Sequence, residues 1–222
     1  MKRRLDDARL YGILDLGYVE PAKAAETAVL MLEGGVQVMQ LRAKSASPAL
    51  ITALAKELAP LCRSHGVPLI LNDHPELVQE TGADGAHVGQ DDMTVAEARR
   101  LAGAGAIIGK STHSLAQAIA AQEERPDYIG FGPLFATPTK PDYAAIGLSD
   151  IAEVHQRVSV PIFCIGGIKR ENLPQVRSNG ARRVVIVSGI LRANDIGNYC
   201  RDCLAFLPHP EEANSHDAHK QN

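Results

Sequence analysis

Between Asp127 and Lys140 the apolar run Tyr-Ile-Gly-Phe breaks at glycine and proline, then delivers Thr137, Thr139 and Lys140 within four residues. Its prolines bar a helix, so the segment reads as a strand emptying into a loop. Two hydroxyls, the neighbouring backbone amides and one ammonium are groups that suit phosphate oxygens. Taken alone, the same Thr-Pro-Thr-Lys also makes an ordinary surface turn.

Other stretches raise the same question. In Gln40-Leu41-Arg42-Ala43-Lys44, strand alternation puts one amide and two cations, Gln40, Arg42 and Lys44, on one side, where they could hold a polyanion. Asn72-Asp73-His74 and His87-Val88-Gly89-Gln90-Asp91-Asp92 bring carboxylates to two successive strand ends. Mg2+ takes only one or two protein carboxylates and leaves its other positions to water and phosphate, so Asp73 with Asp92 or Asp91 makes a candidate site. One of Asp91 and Asp92 also suits a cap of the next helix, and spacing alone does not choose between the readings. His74 and His87 read as packing residues more readily than as zinc ligands. In Lys110-Ser111-Thr112-His113-Ser114, Ser111 is the better ligand donor, while Thr112 or Ser114 suits a helix cap. No Gly-x-Ser-x-Gly elbow surrounds Ser111, which argues against a hydrolase triad. Ile165-Gly166-Gly167-Ile168 and Val187-Ser188-Gly189-Ile190 place small residues where backbone amides can close on a phosphate.

These stretches need a scaffold, and the rest of the chain supplies its pattern. Apolar strand-like runs alternate eight times with longer helical stretches. The strands expected are Leu10–Asp15, Val36–Leu41, Pro68–Leu71, Gly85–Val88, Ala106–Gly109, Tyr128–Phe131, Pro161–Ile165 and Val184–Val187. The helices expected are Pro21–Glu33, Pro48–Ser64, Pro75–Glu80, Val95–Ala102, Leu115–Glu123, Ser149–His155, Arg170–Ser178 and Asp195–Phe206. Eight βα units at this spacing predict a single-domain α/β fold, a (β/α)8 TIM barrel over residues 10–207, whose chemistry belongs at the C-terminal strand ends. Residues 1–9 read as an N-terminal extension and 208–222 as a disordered polar tail.

The 222 residues are 45% hydrophobic and 22% charged, with net charge −3 and no basic block, so nucleic acid and anionic membranes are not expected partners. No apolar run nears the roughly 20 residues a membrane span needs. Met-Lys-Arg-Arg-Leu-Asp-Asp lacks the apolar segment of a signal peptide, and a cytoplasmic protein is expected. Cys200-x-x-Cys203 has no second pair beside it and reads as ordinary residues of the last helix.

Together, Gln-Leu-Arg-x-Lys, Asn-Asp, Gly-x-His-x-Gly-Gln-x-Asp, Ser-Thr-His, Gly-Pro-x-Phe-x-Thr-x-Thr-Lys, Ile-Gly-Gly-Ile and Val-Val-x-Val-Ser-x-Ile, spread from Leu10 to Ile190, resemble thiamine phosphate synthase. The resemblance implies a (β/α)8 transferase that joins a hydroxymethylpyrimidine diphosphate to a thiazole phosphate, carboxylated or not, releasing pyrophosphate with Mg2+. It implies that Gln40, Arg42, Lys44, Asn72, Ser111 and Lys140 contact the diphosphate substrate. It also implies that Asp73 and Asp92 ligate magnesium, and that Thr137, Thr139, Gly167, Val187 and Ser188 hold the thiazole phosphate. The groups it implies for catalysis are Lys140, Arg42, Lys44 and Ser111. His74, Lys110, Ala136 and the stretch Pro141–Ile146 depart from the family pattern. A thiazole tautomerase and a non-catalytic sensor of a phosphorylated ligand are the rival readings; the intact Thr137-Pro138-Thr139-Lys140 and the retained charged residues favour the synthase. The partners implied are the two small-molecule substrates, a homo-oligomer being compatible with them.

Overall fold

The computed structural model describes residues 2–137 and 144–207. Within these, eight parallel strands close into a barrel in sequential order. Helix α1 (Lys2–Asp7) precedes β1 (Leu10–Asp15), followed by α2 (Ala24–Glu33), β2 (Val38–Arg42), α3 (Pro48–Ser64), β3 (Leu69–Asn72) and α4 (Val78–Thr81). Next come β4 (Gly85–Val88), α5 (Val95–Ala102), β5 (Ile107–Thr112), α6 (Leu115–Ala121) and β6 (Tyr128–Phe131). The chain continues with α7 (Ile151–Arg157), β7 (Ile162–Cys164), α8 (Leu173–Ser178), β8 (Val184–Ile186), α9 (Ser188–Leu191) and α10 (Ile196–Ala205).

Alternation along the strands divides the apolar residues into two cores. Leu10, Leu14, Met39, Leu41, Leu69, Leu71, Ile108, Ile129 and Ile186 face the surrounding helices. Tyr11, Ile13, Val38, Ile70, Ile107, Tyr128, Phe163 and Val185 fill the barrel itself, and Leu5 and Ala8 join them. Helix α1 was not expected from the sequence. Its one apolar side chain, Leu5, is 1% exposed against the barrel interior. Arg183 Nη2 donates to the Asp6 carbonyl at 2.6 Å, and Arg9 Nη1 to the Leu207 carbonyl at 2.5 Å, tying both ends of the described chain to the barrel.

The expected helices form with local adjustments at their starts. Pro48 occupies the first turn of α3, where its missing N–H costs nothing, and Ser47 caps that helix by accepting from Leu50 N. Pro21 and Pro75 instead open 3-10 turns that lead into α2 and α4. Neither Asp91 nor Asp92 caps α5; Thr94 does so in a reciprocal capping box with Glu97. Ser114, one of the two candidates, caps α6. Cys200 and Cys203 are buried on α10, where burial pushes both thiols up to about 12, as befits packing residues. Among the described residues no helix is long and apolar enough to cross a membrane. The polar tail from residue 208 lies outside the described residues.

Candidate active site

One cavity opens at the C-terminal ends of the strands. Gln40, Arg42, Asn72, Ser111, Thr137, Gly167, Val187 and Ser188 all line it, so residues scattered over roughly 150 positions meet at one mouth. Each arrives by a simple route. Val38, Gln40 and Arg42 share the inward face of β2, and β2 pairs with β1 so that Arg42 stands opposite Asp15.

That register creates a buried ion pair which was not anticipated. Arg42 Nη1 lies 2.6 Å from Asp15 Oδ2, and the two side chains are 11% and 4% exposed. Asp15 Oδ1 also accepts from Gly17 N at 2.9 Å, so both carboxylate oxygens are engaged and the guanidinium is held in one orientation. Asp15 could have been recognised only by knowing that β1 and β2 run in this register. Alternation does not continue to Lys44: β2 ends at Arg42, the chain turns, and Lys44 is exposed on that turn rather than lining the cavity.

Across the barrel, β5 runs three polar residues further than its apolar run suggests, because each of them finds a hydrogen-bond partner. Ser111 Oγ lies 2.9 Å from His87 Nε2, and its carbonyl accepts from Gln90 Nε2. Thr112 Oγ1 donates to the Gly130 carbonyl at 2.9 Å. Lys110 points outward instead, its ammonium 2.9 Å from the Met93 carbonyl and 3.8 Å from Glu124, so this departure from the family pattern falls outside the cavity. His74 pairs with Glu76 at 2.8 Å.

Asn72 ends β3, and its Nδ2 donates to Asp73 Oδ2 at 2.7 Å. Asp73 itself adopts φ +63, a left-handed conformation that a non-glycine residue rarely takes. Its N–H donates to the His87 carbonyl at 2.9 Å, which continues the β3–β4 ladder one residue past the strand. Asp92 Oδ2 accepts from Gly89 N at 2.6 Å on the loop after β4. Among the described residues no group of three or more His, Cys, Asp or Glu gathers as a metal cluster. Two carboxylates on adjacent loops are nonetheless the donor set that suits Mg2+ completed by water and phosphate oxygens.

The glycine side of the mouth is built by close backbone approach. Leu134 N donates to the Ile165 carbonyl at 2.8 Å and Phe135 N to the Gly166 carbonyl at 3.0 Å, which extends the β6–β7 pairing into the loops. Gly167 has φ +66, and a Cβ there would stand 2.6 Å from the Phe135 Cβ. Only glycine lets these two loops touch, and the contact delivers Thr137 to the cavity rim beside Gly167. Ser188 opens α9, a short helix after β8 that the sequence pattern does not reveal. Thr139 and Lys140 lie outside the described residues, as do Pro141 to Tyr143.

Below this rim sits a set of polar groups the sequence reading assigned no joint role. Gln40 Nε2 is 2.8 Å from Tyr11 Oη, Tyr11 Oη is 3.0 Å from Tyr128 Oη, and Tyr128 Oη is 3.0 Å from His87 Nδ1. Burial pushes both phenols well above their ordinary pKa, so they remain protonated.

A family model described as thiamine monophosphate synthase matches residues 10–190. A thiamine-phosphate synthase of Synechococcus sp. is 42% identical over 207 residues, which are 93% of this chain but only 59% of that longer protein. One from Chloroflexus aurantiacus is 42% identical over 207 residues, covering 93% of this chain and 95% of its own length. The solved structure of a thiamine phosphate pyrophosphorylase from Pyrococcus furiosus superposes with a TM-score of 0.83 at 28% identity, covering 95% of this chain and 98% of that one.

Proposed function

The chain belongs to the thiamine monophosphate synthase family, a transferase family of thiamine biosynthesis, and on that premise we propose that it joins a hydroxymethylpyrimidine diphosphate to a thiazole phosphate at the cavity described above. The observation that carries this reading is the convergence of Gln40, Arg42, Asn72 and Ser111 with Thr137, Gly167, Val187 and Ser188 around one mouth. One group is rich in charge and amide, as a diphosphate-bearing heterocycle requires; the other is small and backbone-rich, as a phosphate monoester requires.

In this reading pyrophosphate departs first, the pyrimidine methylene carries positive charge, and the thiazole nitrogen attacks it through its own lone pair. No general base is needed. The protein's task is to stabilise negative charge growing on the leaving diphosphate, and preorganised charges in a closed site are worth several kcal/mol of barrier. Arg42 is suited to this because Asp15 already fixes its guanidinium. Lys44, on the turn after Arg42, carries its ammonium on a flexible stem that can close over a bound polyanion. Lys140 follows Thr137 closely enough in the chain to serve the same oxygens. Asp73 and Asp92 would hold Mg2+, which when bound neutralises diphosphate oxygens. Thr137, Thr139, Gly167, Val187 and Ser188 would seat the thiazole phosphate. The setting that fits these substrates is the cytoplasm.

Purified protein given both substrates and Mg2+ should form thiamine phosphate and pyrophosphate. Binding of the thiazole phosphate without any product would refute the synthase reading, and isomerisation of a thiazole without coupling would replace it with tautomerase activity.

A further inference from the structure

We propose that Tyr11, Tyr128 and His87 form a polarised hydrogen-bond chain beneath the active site, and that they act as positioning residues by fixing Ser111 as a donor and Gln40 as an acceptor toward the substrate. The inference rests on the functional reading above for the identity of that substrate, but its geometry stands independently.

The direction of the chain follows from counting hydrogens. Gln40 Nε2 bears only hydrogens, so at 2.8 Å from Tyr11 Oη it must donate. Tyr11 is 1% exposed, and its remaining partner is Tyr128 Oη at 3.0 Å, so its own hydrogen goes there. Tyr128, also 1% exposed, then turns its hydrogen to His87 Nδ1 at 3.0 Å. An imidazole that accepts at Nδ1 carries its hydrogen on Nε2, and Nε2 lies 2.9 Å from Ser111 Oγ. Ser111 therefore accepts from His87 and keeps its own hydrogen for a ligand. At the other end, the Gln40 amide has spent an N–H on Tyr11 and offers its carbonyl oxygen. A ligand edge that fits has an acceptor opposite Ser111 and a donor opposite Gln40. An aminopyrimidine, with a ring nitrogen beside an exocyclic amine, carries that pair.

The fold makes room for this chain at a specific place. A Cβ at Gly109 would stand 2.4 Å from Tyr128 Oη and 2.1 Å from its Cζ, so the Tyr128 phenol occupies the space that glycine leaves on β5. Phe163 then packs edge-on against both Tyr11 and Tyr128, with ring centroids 5.4 and 5.5 Å away, which holds the two phenols in place. The His87 ring stacks on Tyr128 at 5.5 Å.

The tautomer is measurable without substrate, by nitrogen NMR on protein with isotope-labelled histidines, the His87 signals being assigned from a His87→Asn variant. The wild type should carry its His87 hydrogen on Nε2, and Tyr128→Phe, which keeps the ring but removes the donor to Nδ1, should give a mixture of tautomers. In the coupling assay Tyr128→Phe should raise KM for the pyrimidine diphosphate about tenfold, the cost of roughly one misdirected hydrogen bond, with a smaller fall in kcat. Because the chain acts through Ser111, adding Tyr128→Phe to Ser111→Ala should cost much less than it costs the wild type. A wild-type His87 with its hydrogen on Nδ1, or full additivity of the two substitutions, would overturn the proposal. An Nε2–H tautomer in a protein that forms no thiamine phosphate would uphold the chain's polarity and bring down the functional reading instead.

Discussion

Asp15→Asn breaks the buried ion pair with Arg42 and leaves the guanidinium charged in place. It removes the negative charge 2.6 Å from Arg42 Nη1 while keeping the shape of the side chain and an oxygen for Gly17 N. In bulk water a pair of charges about 4 Å apart is worth about 1 kcal/mol, and at the effective dielectric of ~20 that suits protein sites it is worth about 4 kcal/mol. With the two side chains 11% and 4% exposed, the larger figure applies. It agrees with the roughly 3–5 kcal/mol lost when one member of a buried pair is removed and the other stays charged. For a chain of this size that corresponds to a fall in Tm of roughly 10 °C. Thermal and urea unfolding would measure the stability, and the coupling assay would show KM for the pyrimidine diphosphate rising about tenfold as Arg42 loses its fixed orientation. The double variant Asp15→Leu/Arg42→Met separates the two roles: an apolar replacement of both partners should recover most of the stability and none of the activity. If Asp15→Asn melted within about 2 °C of the wild type, with unchanged kinetic constants, the buried-clamp argument would be refuted.

Removing the ammonium in Lys140→Ala should slow coupling by about a hundredfold or more, while calorimetry finds thiazole phosphate affinity much less changed. Chelation should abolish product formation and added Mg2+ restore it, and Asp73→Asn or Asp92→Asn should raise the Mg2+ concentration needed for half-maximal rate. Gly167→Ala forces a side chain onto φ +66 and into Phe135, so KM for the thiazole phosphate should rise at least about tenfold while that for the pyrimidine diphosphate moves less. Away from the site, burial first, and then Arg182 and Arg183, push His155 down to about 4 from its ordinary 6.5. Its folded pKa is depressed, so the unfolded chain binds the extra proton between these values; stability is full above pH 6.5 and falls progressively toward pH 4. That shift is worth about 3 kcal/mol, and urea unfolding of His155→Gln at pH 7 and near pH 4.5 should show a shallower loss than the wild type.

The barrel was legible because its strands are short apolar runs bounded by turn residues, and β1, β4 and β6 begin and end where those runs do. Strand β5 was underestimated because Lys110, Ser111 and Thr112 look like loop and yet are buried, each bonded to a group far off in the chain. Composition cannot register partners of that kind. Helix α1 was missed for a related reason: one leucine among charged residues has no period to detect, and Leu5 is ordered by the barrel floor rather than by its neighbours. Gln40, Arg42, Asn72 and Ser111 could be picked out as polar residues at strand ends, and they line the cavity. The contacts of Asp15 and of Tyr11, Tyr128 and His87 could not, because they exist only once register and barrel closure bring separate strands side by side.

The packing of Leu5 and Ala8 into the lower end of the barrel has a bearing on traffic as well as on stability. With that end filled by apolar side chains, the cavity that the described residues enclose has its lip at the C-terminal strand ends. Among the described residues, two substrates and two products then meet at that one mouth. The substrate that seats deeper is then the one to enter first, and both heterocycles leave joined in one product, so order of arrival becomes a property of shape. A pyrimidine held at Ser111 and Gln40, on the floor side, would be trapped beneath the thiazole until the bond between them formed.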